Sequence, residues 1–546
     1  MIKNNKFFLI IIFVISFFLR FYKVGEYPSL LWDEAAIGYN AYSIIETGKD
    51  EYGKFLPIIF KSFGDYKPGF YIYLAIPFIK FFGLNVVSTR LPSVILGSLL
   101  PILIYFLIKE INQKAHKTAV IAAIITAFNP YSIHFSRGAW ETNVLTFELV
   151  LASYFFFKYI NKKINKYLLY SAITFGLTLF TYQAGKMISL FLIIILFLTN
   201  FKIISLKNLK SLVLNFVLPL FIFSIPIIYG LFFSSNANRL KVVSLFSYPR
   251  STEESTIIKN ESNQLDYNIF HNHTIFFSRN FLLRYYNHFS PKFLAFEGDW
   301  QSPRHSAPYI GVLLYPSLIF LIIGIFFALS RQKLDKLNIF FFSWLLLAPI
   351  PAALTRDIVQ AVRSMSFSIP LIYFISLGIY VVVDKYKNIF IYSLIIGSYL
   401  LSFVYYGDLY LNHMIKKSPD DFLYGYTQSM EYLIKNQDNY KQIIMSDYYG
   451  QAYIYYLFYS KYSPKLYQQQ AYLTENSSGD TGKIEQIGKI KFITPDYNVI
   501  KKQPNTMAIF NYNEIYRQSI NTSTDFNKFL PLSPINNIST FYAYQN

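Results

Sequence analysis

Two acids stand side by side at Asp33-Glu34 in the stretch LLWDEAAIGYN, and a cation follows at Lys67 in DYKP, at the far end of the same polar segment. A carboxylate can take a proton from a hydroxyl, and an ammonium can hold the charge of a departing phosphate. Together they suit a reaction in which a hydroxyl is deprotonated and a phosphate leaves. The segment SRGAWETN again joins a cation to an acid, at Arg137 and Glu141. In LTRDIVQAVRS, Arg356 and Arg363 flank Asp357 at a spacing that lets two guanidinium groups embrace one phosphate. Lys186, in TYQAGK, is a weaker candidate of the same kind. On local grounds alone the Asp33-Glu34 pair also suits the first turn of an interfacial helix, and Arg90 reads as a snorkelling anchor at a helix end.

The elements that must position these groups are apolar. Of 546 residues 53% are hydrophobic, 20% aromatic and only 15% charged, and the mean hydropathy is +0.31. Apolar runs recur at close to the length needed to cross a bilayer, about 20 helical residues. The expected fold class is therefore an α-helical polytopic membrane protein with about eleven transmembrane helices. The run from Phe7 to Phe21 lacks a small-residue cleavage site after it, so it is expected to stay as the first helix.

A net charge of +19 would suggest nucleic acid in a soluble protein. Here the basic residues fall in alternate loops, as in KEINQKAHK and KYINKKINK, which is orientation information rather than a binding patch. The positive-inside rule then puts the N-terminus in the cytoplasm and Asp33, Lys67, Arg137, Glu141, Arg356 and Arg363 on the outer side of a plasma membrane. Cysteine is absent, which excludes disulfides and thiolate metal sites. His271, His273, His288 and His305 match no metal-binding spacing and are expected to pack or to face solvent.

The stretch 234–307 is expected as a long aromatic loop covering the outer mouth of the bundle. After residue 406 the composition turns soluble: SMEYLIKNQ reads as a helix, and KQIIMSD, KIKFITP and TMAIFNY as short buried strands. The expected division is a membrane domain over 1–406, with a catalytic first outer loop at 23–68, and a C-terminal extracytoplasmic α/β domain over 407–546.

The order WDEAAIGYNAYSIIETGKDEYG, DYKPGFYIYL, RLPSVILG and SRGAWETN resembles glycosyltransferase family 39 and the aminoarabinose-transferase-like enzymes of the GT-C superfamily, which include protein O-mannosyltransferases. The resemblance implies a GT-C fold with a catalytic first outer loop and a sugar donor carried on a polyprenyl phosphate. On this chain it makes Asp33 the catalytic acid, Glu34 its partner, Lys67 a contact to the donor phosphate, and Arg137 and Glu141 the second-loop basic and acidic residues. It covers the chain well to about Lys186 and the later spans by topology only.

The expected activity is transfer of a monosaccharide from a polyprenyl-phosphate donor to a glycolipid, glycan or protein acceptor at the outer face, by a single inverting displacement with Asp33 as general base. The partners expected are that donor, that acceptor and the bilayer, with no nucleic acid. No cofactor has a readable signature; a divalent metal stays open. The competing readings are a transporter or flippase of polyprenyl-linked sugars, which would carry ionisable residues at mid-membrane depth, and an oligosaccharyltransferase-like enzyme.

Overall fold

The computed structural model describes residues 2–201, 209–233, 244–330, 335–470, 482–520, 525 and 528–546, and the chain is mostly helical. Each of the expected apolar segments holds a helix. Among the described residues six helices are long and apolar enough to cross a membrane, and a pair bent by 52° at Pro130 makes up to seven. Others are shorter, such as Gly185–Asn200 and Pro316–Leu329. The expectation of about eleven full spans is thus met by helices in position but not by span length.

The contacts divide the chain into two compact units. The larger holds residues 1–20, 95–136 and 141–410. Its helices pack closely where side chains vanish: a Cβ on Gly324 would lie 1.9 Å from the carbonyl oxygen of Phe374, and one on Gly378 would lie 2.0 Å from that of Phe320, so Pro316–Leu329 and Ser368–Tyr386 meet backbone to backbone. In the first helix, α1 (Ile2–Phe21), Arg20 is fully buried and donates to the carbonyls of Ser16, Thr126 and Ala127 and to Ser132 Oγ. Within the segment expected as a loop, the described residues form helices instead, at Thr252–Glu261, Gln264–Phe270 and His273–Asn287. Each opens on a Ser or Asn whose side chain accepts a first-turn N–H, at Ser251, Asn263 and Asn272. Those caps were legible and overrode the loop reading.

The second unit gathers residues 21–94, 137–140 and 411–546. The first loop and the C-terminal segment therefore share one unit. The loop folds as helix α2 (Trp32–Thr47), a hairpin of β1 (Ile59–Ser62) and β2 (Asp65–Pro68), helix α3 (Phe70–Phe82) with Pro77 inside it, and the start of helix α4 (Val86–Ile111). The C-terminal segment forms a six-stranded sheet from β3 (Gln442–Met445), β4 (Gln486–Ile487), β5 (Ile490–Phe492), β6 (Thr506–Asn511), β7 (Phe529–Pro531) and β10 (Phe541–Gln545), in the order β4-β5-β3-β6-β10-β7. A hairpin of β8 (Pro534–Ile535) and β9 (Ile538–Ser539) precedes β10. β3 is parallel to β5 and β6, and the other pairs are antiparallel. The three expected strands are its centre; β10 escaped notice because aromatic residues on both faces hide the two-residue alternation.

Candidate functional site

α2 starts from an extended residue, Leu31, whose own side chain cannot cap a helix. Glu34 compensates by folding back, its Oε2 accepting the Leu31 N–H at 3.1 Å. The same carboxylate is gripped by Arg90, one turn into α4, with Nε to Oε1 at 2.8 Å and Nη2 to Oε2 at 2.6 Å. The N–H of Ala139 adds a bond to Oε1 at 2.7 Å. Four donors thus meet the four acceptor positions of one buried carboxylate. Gly138 permits this approach: a Cβ there would lie 3.2 Å from Oε1 and 2.7 Å from Trp140 Nε1.

Arg90 is not the snorkelling anchor expected. It is 0% exposed, and its remaining N–H groups go to the carbonyls of Val24, Pro28 and Ser29. All five donors of the guanidinium are engaged, so Arg90 fixes the strand-like entry to α2 as well as Glu34.

Asp33, one residue earlier, has the opposite surroundings. Its side chain is 41% exposed, and Lys67 Nζ reaches its Oδ1. Lys67 comes from β2, where it pairs across the hairpin with Phe60. The two-residue turn at Phe63-Gly64 has positive φ at both positions, 55° and 88°, the handedness that matches strand twist. The Lys67 ammonium also lies 5.2 Å from the centre of the Phe63 ring, and Phe63 is buried against Tyr453. Arg137 is buried in the same unit, where Nη2 donates to the carbonyl of Tyr27 at 3.1 Å.

The C-terminal segment supports this loop. The helix Ala452–Tyr459 packs on α2 at Gly38, where a Cβ would lie 2.6 Å from Phe458. Tyr455 donates to the carbonyl of Leu30 at 2.8 Å, Tyr39 to that of Tyr462 at 3.0 Å, and Gln468 to Ser43, Thr47 and the Asp50 carbonyl.

One acid of this unit was missed by the sequence reading. Glu51 is fully buried, with Oε1 accepting from Asn40 Nδ2 at 3.0 Å while Asn40 Oδ1 accepts the Glu51 N–H. Oε2 has no hydrogen-bond partner among the described residues. Burial pushes its carboxyl up to about 8; the Asn40 bond and the Lys67 charge pull it partly back, and Asp50 adds to the rise. Its only sequence signal was its place in the run KDEYGK.

The other candidates belong to the larger unit. Glu141 opens the helix Glu141–Lys162, where an acid suits the positive end of the dipole. Arg363 donates to Asp357 at 2.6 Å and Thr355 at 3.1 Å, while Arg356, about half exposed, reaches the Tyr248 hydroxyl at 3.1 Å. Burial raises Asp357, but Arg363, Gln360 and Arg356 outweigh it and hold the carboxyl below its ordinary value. Their loop is tied down by Asp299, whose Oδ2 accepts the Ala361 N–H at 2.8 Å and His305 Nδ1 at 2.9 Å. His288, also buried, accepts the Gln360 N–H, and burial lowers it to about 4. The packing role expected for these two histidines thus takes the form of loop anchors. Lys186 donates to Gln183 at 2.7 Å. Among the described residues no group of three His, Asp or Glu side chains is placed to hold a metal ion.

None of the curated proteins compared matches the chain. Residues 10–240 match the model of the family described as dolichyl-phosphate-mannose-protein mannosyltransferase. Among solved structures, ArnT from Cupriavidus metallidurans in the apo state superposes with a TM-score of 0.53 at 11% identity, over 98% of this chain and 97% of that one. The same protein bound to undecaprenyl phosphate gives 0.52 at 10% identity, over 99% and 98%. The archaeal oligosaccharyltransferase AglB from Archaeoglobus fulgidus gives 0.48 at 14% identity, over 82% of this chain and 62% of that one. The four motifs lie inside the stretch that matches the mannosyltransferase family model, and the chain shares its fold with ArnT along nearly its whole length.

Proposed function

We propose that the protein is a membrane glycosyltransferase that moves a monosaccharide from a polyprenyl-phosphate donor to a hydroxyl of a glycolipid, glycan or protein acceptor. Asp33 is the general base. It takes the acceptor proton as that oxygen attacks the anomeric carbon; the bond from that carbon to the phosphate oxygen breaks, and polyprenyl phosphate leaves with the electron pair. A phosphate is already a good leaving group, so one carboxylate suffices, and a single displacement inverts the anomeric centre. Lys67 meets the departing charge, assisted by Arg137 of the same unit. The reaction lies on the outer face of the plasma membrane, with the N-terminus in the cytoplasm and residues 407–546 outside.

The observation that carries this reading is the contrast between neighbouring acids. Glu34 has every acceptor position occupied, whereas Asp33 is half open and already beside a cation. Glu34 therefore positions the loop, and Asp33 is the group a hydroxyl can reach. ArnT, with the same fold, has been seen with undecaprenyl phosphate, which supports a lipid-borne donor here.

Membranes holding the protein, given a labelled polyprenyl-phosphate hexose, should pass label to a glycolipid or protein, and an Asp33→Asn variant should not. Equal transfer by that variant would remove the base. A transporter reading calls for ionisable groups lining a path through the membrane; the buried ionisable groups of the apolar helices include Arg20, in the last turn of α1, and Glu148, in Glu141–Lys162. Each is enclosed by packed helices, Arg20 by carbonyls and Ser132, Glu148 with Thr181 donating to Oε2 at 2.7 Å. That is the pattern of a helix lock rather than of a path.

A further inference from the structure

Within the smaller unit lies a cavity of about 1030 Å³, at the large end for a small-ligand site. One wall is the segment from Gly25 to Leu30, whose neighbouring carbonyls Arg90 holds from behind; the facing wall comes from the helix Tyr426–Asn436 and the β8–β9 hairpin. The hairpin turns through Asn536 and Asn537, both at positive φ, and Asn536 donates to the carbonyl of Lys416 at 2.9 Å. The cavity is therefore built before any ligand arrives.

Its lining has a definite chemistry. Three tyrosines, Tyr27, Tyr424 and Tyr459, contribute rings, and each hydroxyl is tied to the wall: Tyr27 accepts the Ile415 N–H, Tyr424 donates to the Pro534 carbonyl, and Tyr459 shares a bond with Thr427. Rings so tethered offer fixed apolar faces. Gln428 lines the same space, and its buried Oε1 has no hydrogen-bond partner among the described residues, a vacancy that a ligand donor would fill. The charged residues balance, with Glu26 and Glu431 against Lys416 and Lys461. Such a lining does not select the anionic phosphate that Lys67 suits. Fixed aromatic faces, amides and carboxylates without net charge match a neutral polyhydroxylated ligand, with C–H faces on the rings and hydroxyls on the polar atoms.

We infer that this cavity is a saccharide-binding subsite that takes a neutral oligosaccharide portion of the acceptor, a role that rests on the transferase reading. The test measures binding and so does not depend on transfer. Full-length protein in lipid nanodiscs is titrated with maltotriose, mannotriose and chitotriose, followed by saturation-transfer NMR. At least one binds, and Tyr424→Ala and Gln428→Ala each weaken it by about tenfold, the loss of one buried hydrogen bond or ring contact. Glu431→Gln, at an exposed position that does not threaten folding, weakens it several-fold. Asp33→Asn leaves it unchanged. The inference falls if none of the three binds, if all three cavity variants bind as the parent does, or if a Ser/Thr-rich peptide competes for the cavity and the trisaccharides do not. Transfer surviving in Asp33→Asn would instead defeat the base assignment and leave the binding result standing.

Discussion

Arg90 and Glu34 form a two-pronged ion pair across 56 positions of sequence, at 2.8 and 2.6 Å, with the arginine side chain wholly enclosed and the glutamate nearly so. Neither partner has an N–H or a lone pair left for anything else. The pair is consequently a structural clamp on the entry to α2, and it sets the position of Asp33 without touching a substrate.

Removing Arg90 would strand a buried carboxylate and three carbonyls. Arg90→Ala is expected to destabilise the protein by about 3–5 kcal/mol, the range for breaking a buried ion pair from one side. Arg90→Lys would restore charge but not the planar fork, so it should recover only part of this. Thermal unfolding of detergent-solubilised protein measures both. An Arg90→Ala variant as stable as the parent would mean that the clamp contributes nothing.

Asp33 should behave in the opposite way. Its side chain is 41% exposed, so Asp33→Asn should leave the unfolding temperature nearly unchanged while lowering transfer by about a hundredfold or more, as loss of a general base does. Glu34→Gln should reverse the pattern, with stability lost first. Lys67→Met should reduce turnover and weaken donor use, since it removes the cation from the leaving phosphate. Steady-state transfer with each variant, set beside its unfolding curve, separates the two roles.

These contrasts mark where sequence reading ends. The pair Asp33-Glu34, the cation at Lys67 and the helix positions followed from charge placement and apolar runs, whereas the hairpin that carries Lys67 did not. Arg90 was misread because its partner is distant in the chain, and a lone arginine at a helix start carries no sign of burial. Glu51 was passed over because nothing in KDEYGK shows that tyrosines from the C-terminal helices close around it. The break near Pro130 and the shortness of helices such as Pro316–Leu329 were not legible for a related reason, since the apolar runs that hold them read as continuous.

In the larger unit, Asp299 should prove to be what holds the loop bearing Arg356 and Arg363. Its Oδ2 receives two donors, the Ala361 N–H and His305 Nδ1, and Asp299→Ala would leave both unsatisfied. The expected result is faster tryptic cleavage after Arg356 and Arg363, with little change in far-UV helicity. Cleavage at the parental rate would show that the loop is held elsewhere, for instance through His288 and Gln360.

Glu51 gives the protein a stability that falls as pH rises. Burial raises its carboxyl to about 8, against an ordinary value of 4.5. Between those values the folded unit keeps a proton that the unfolded chain has released, so folding binds a proton and stability falls as pH rises. The contribution is complete below 4.5, declines by at most about 1.4 kcal/mol for each pH unit, and is gone above about 8. Ionisation there would set a charge among Tyr39, Tyr52, Tyr453 and Tyr467, rings that cannot solvate it. Glu51→Gln keeps the shape and the acceptor for Asn40 but removes the titration. Its unfolding temperature should change less with pH than that of the parent and exceed it in alkaline buffer, while the two converge in acid. Parallel curves for the two proteins across that range would show that Glu51 does not hold its proton on folding.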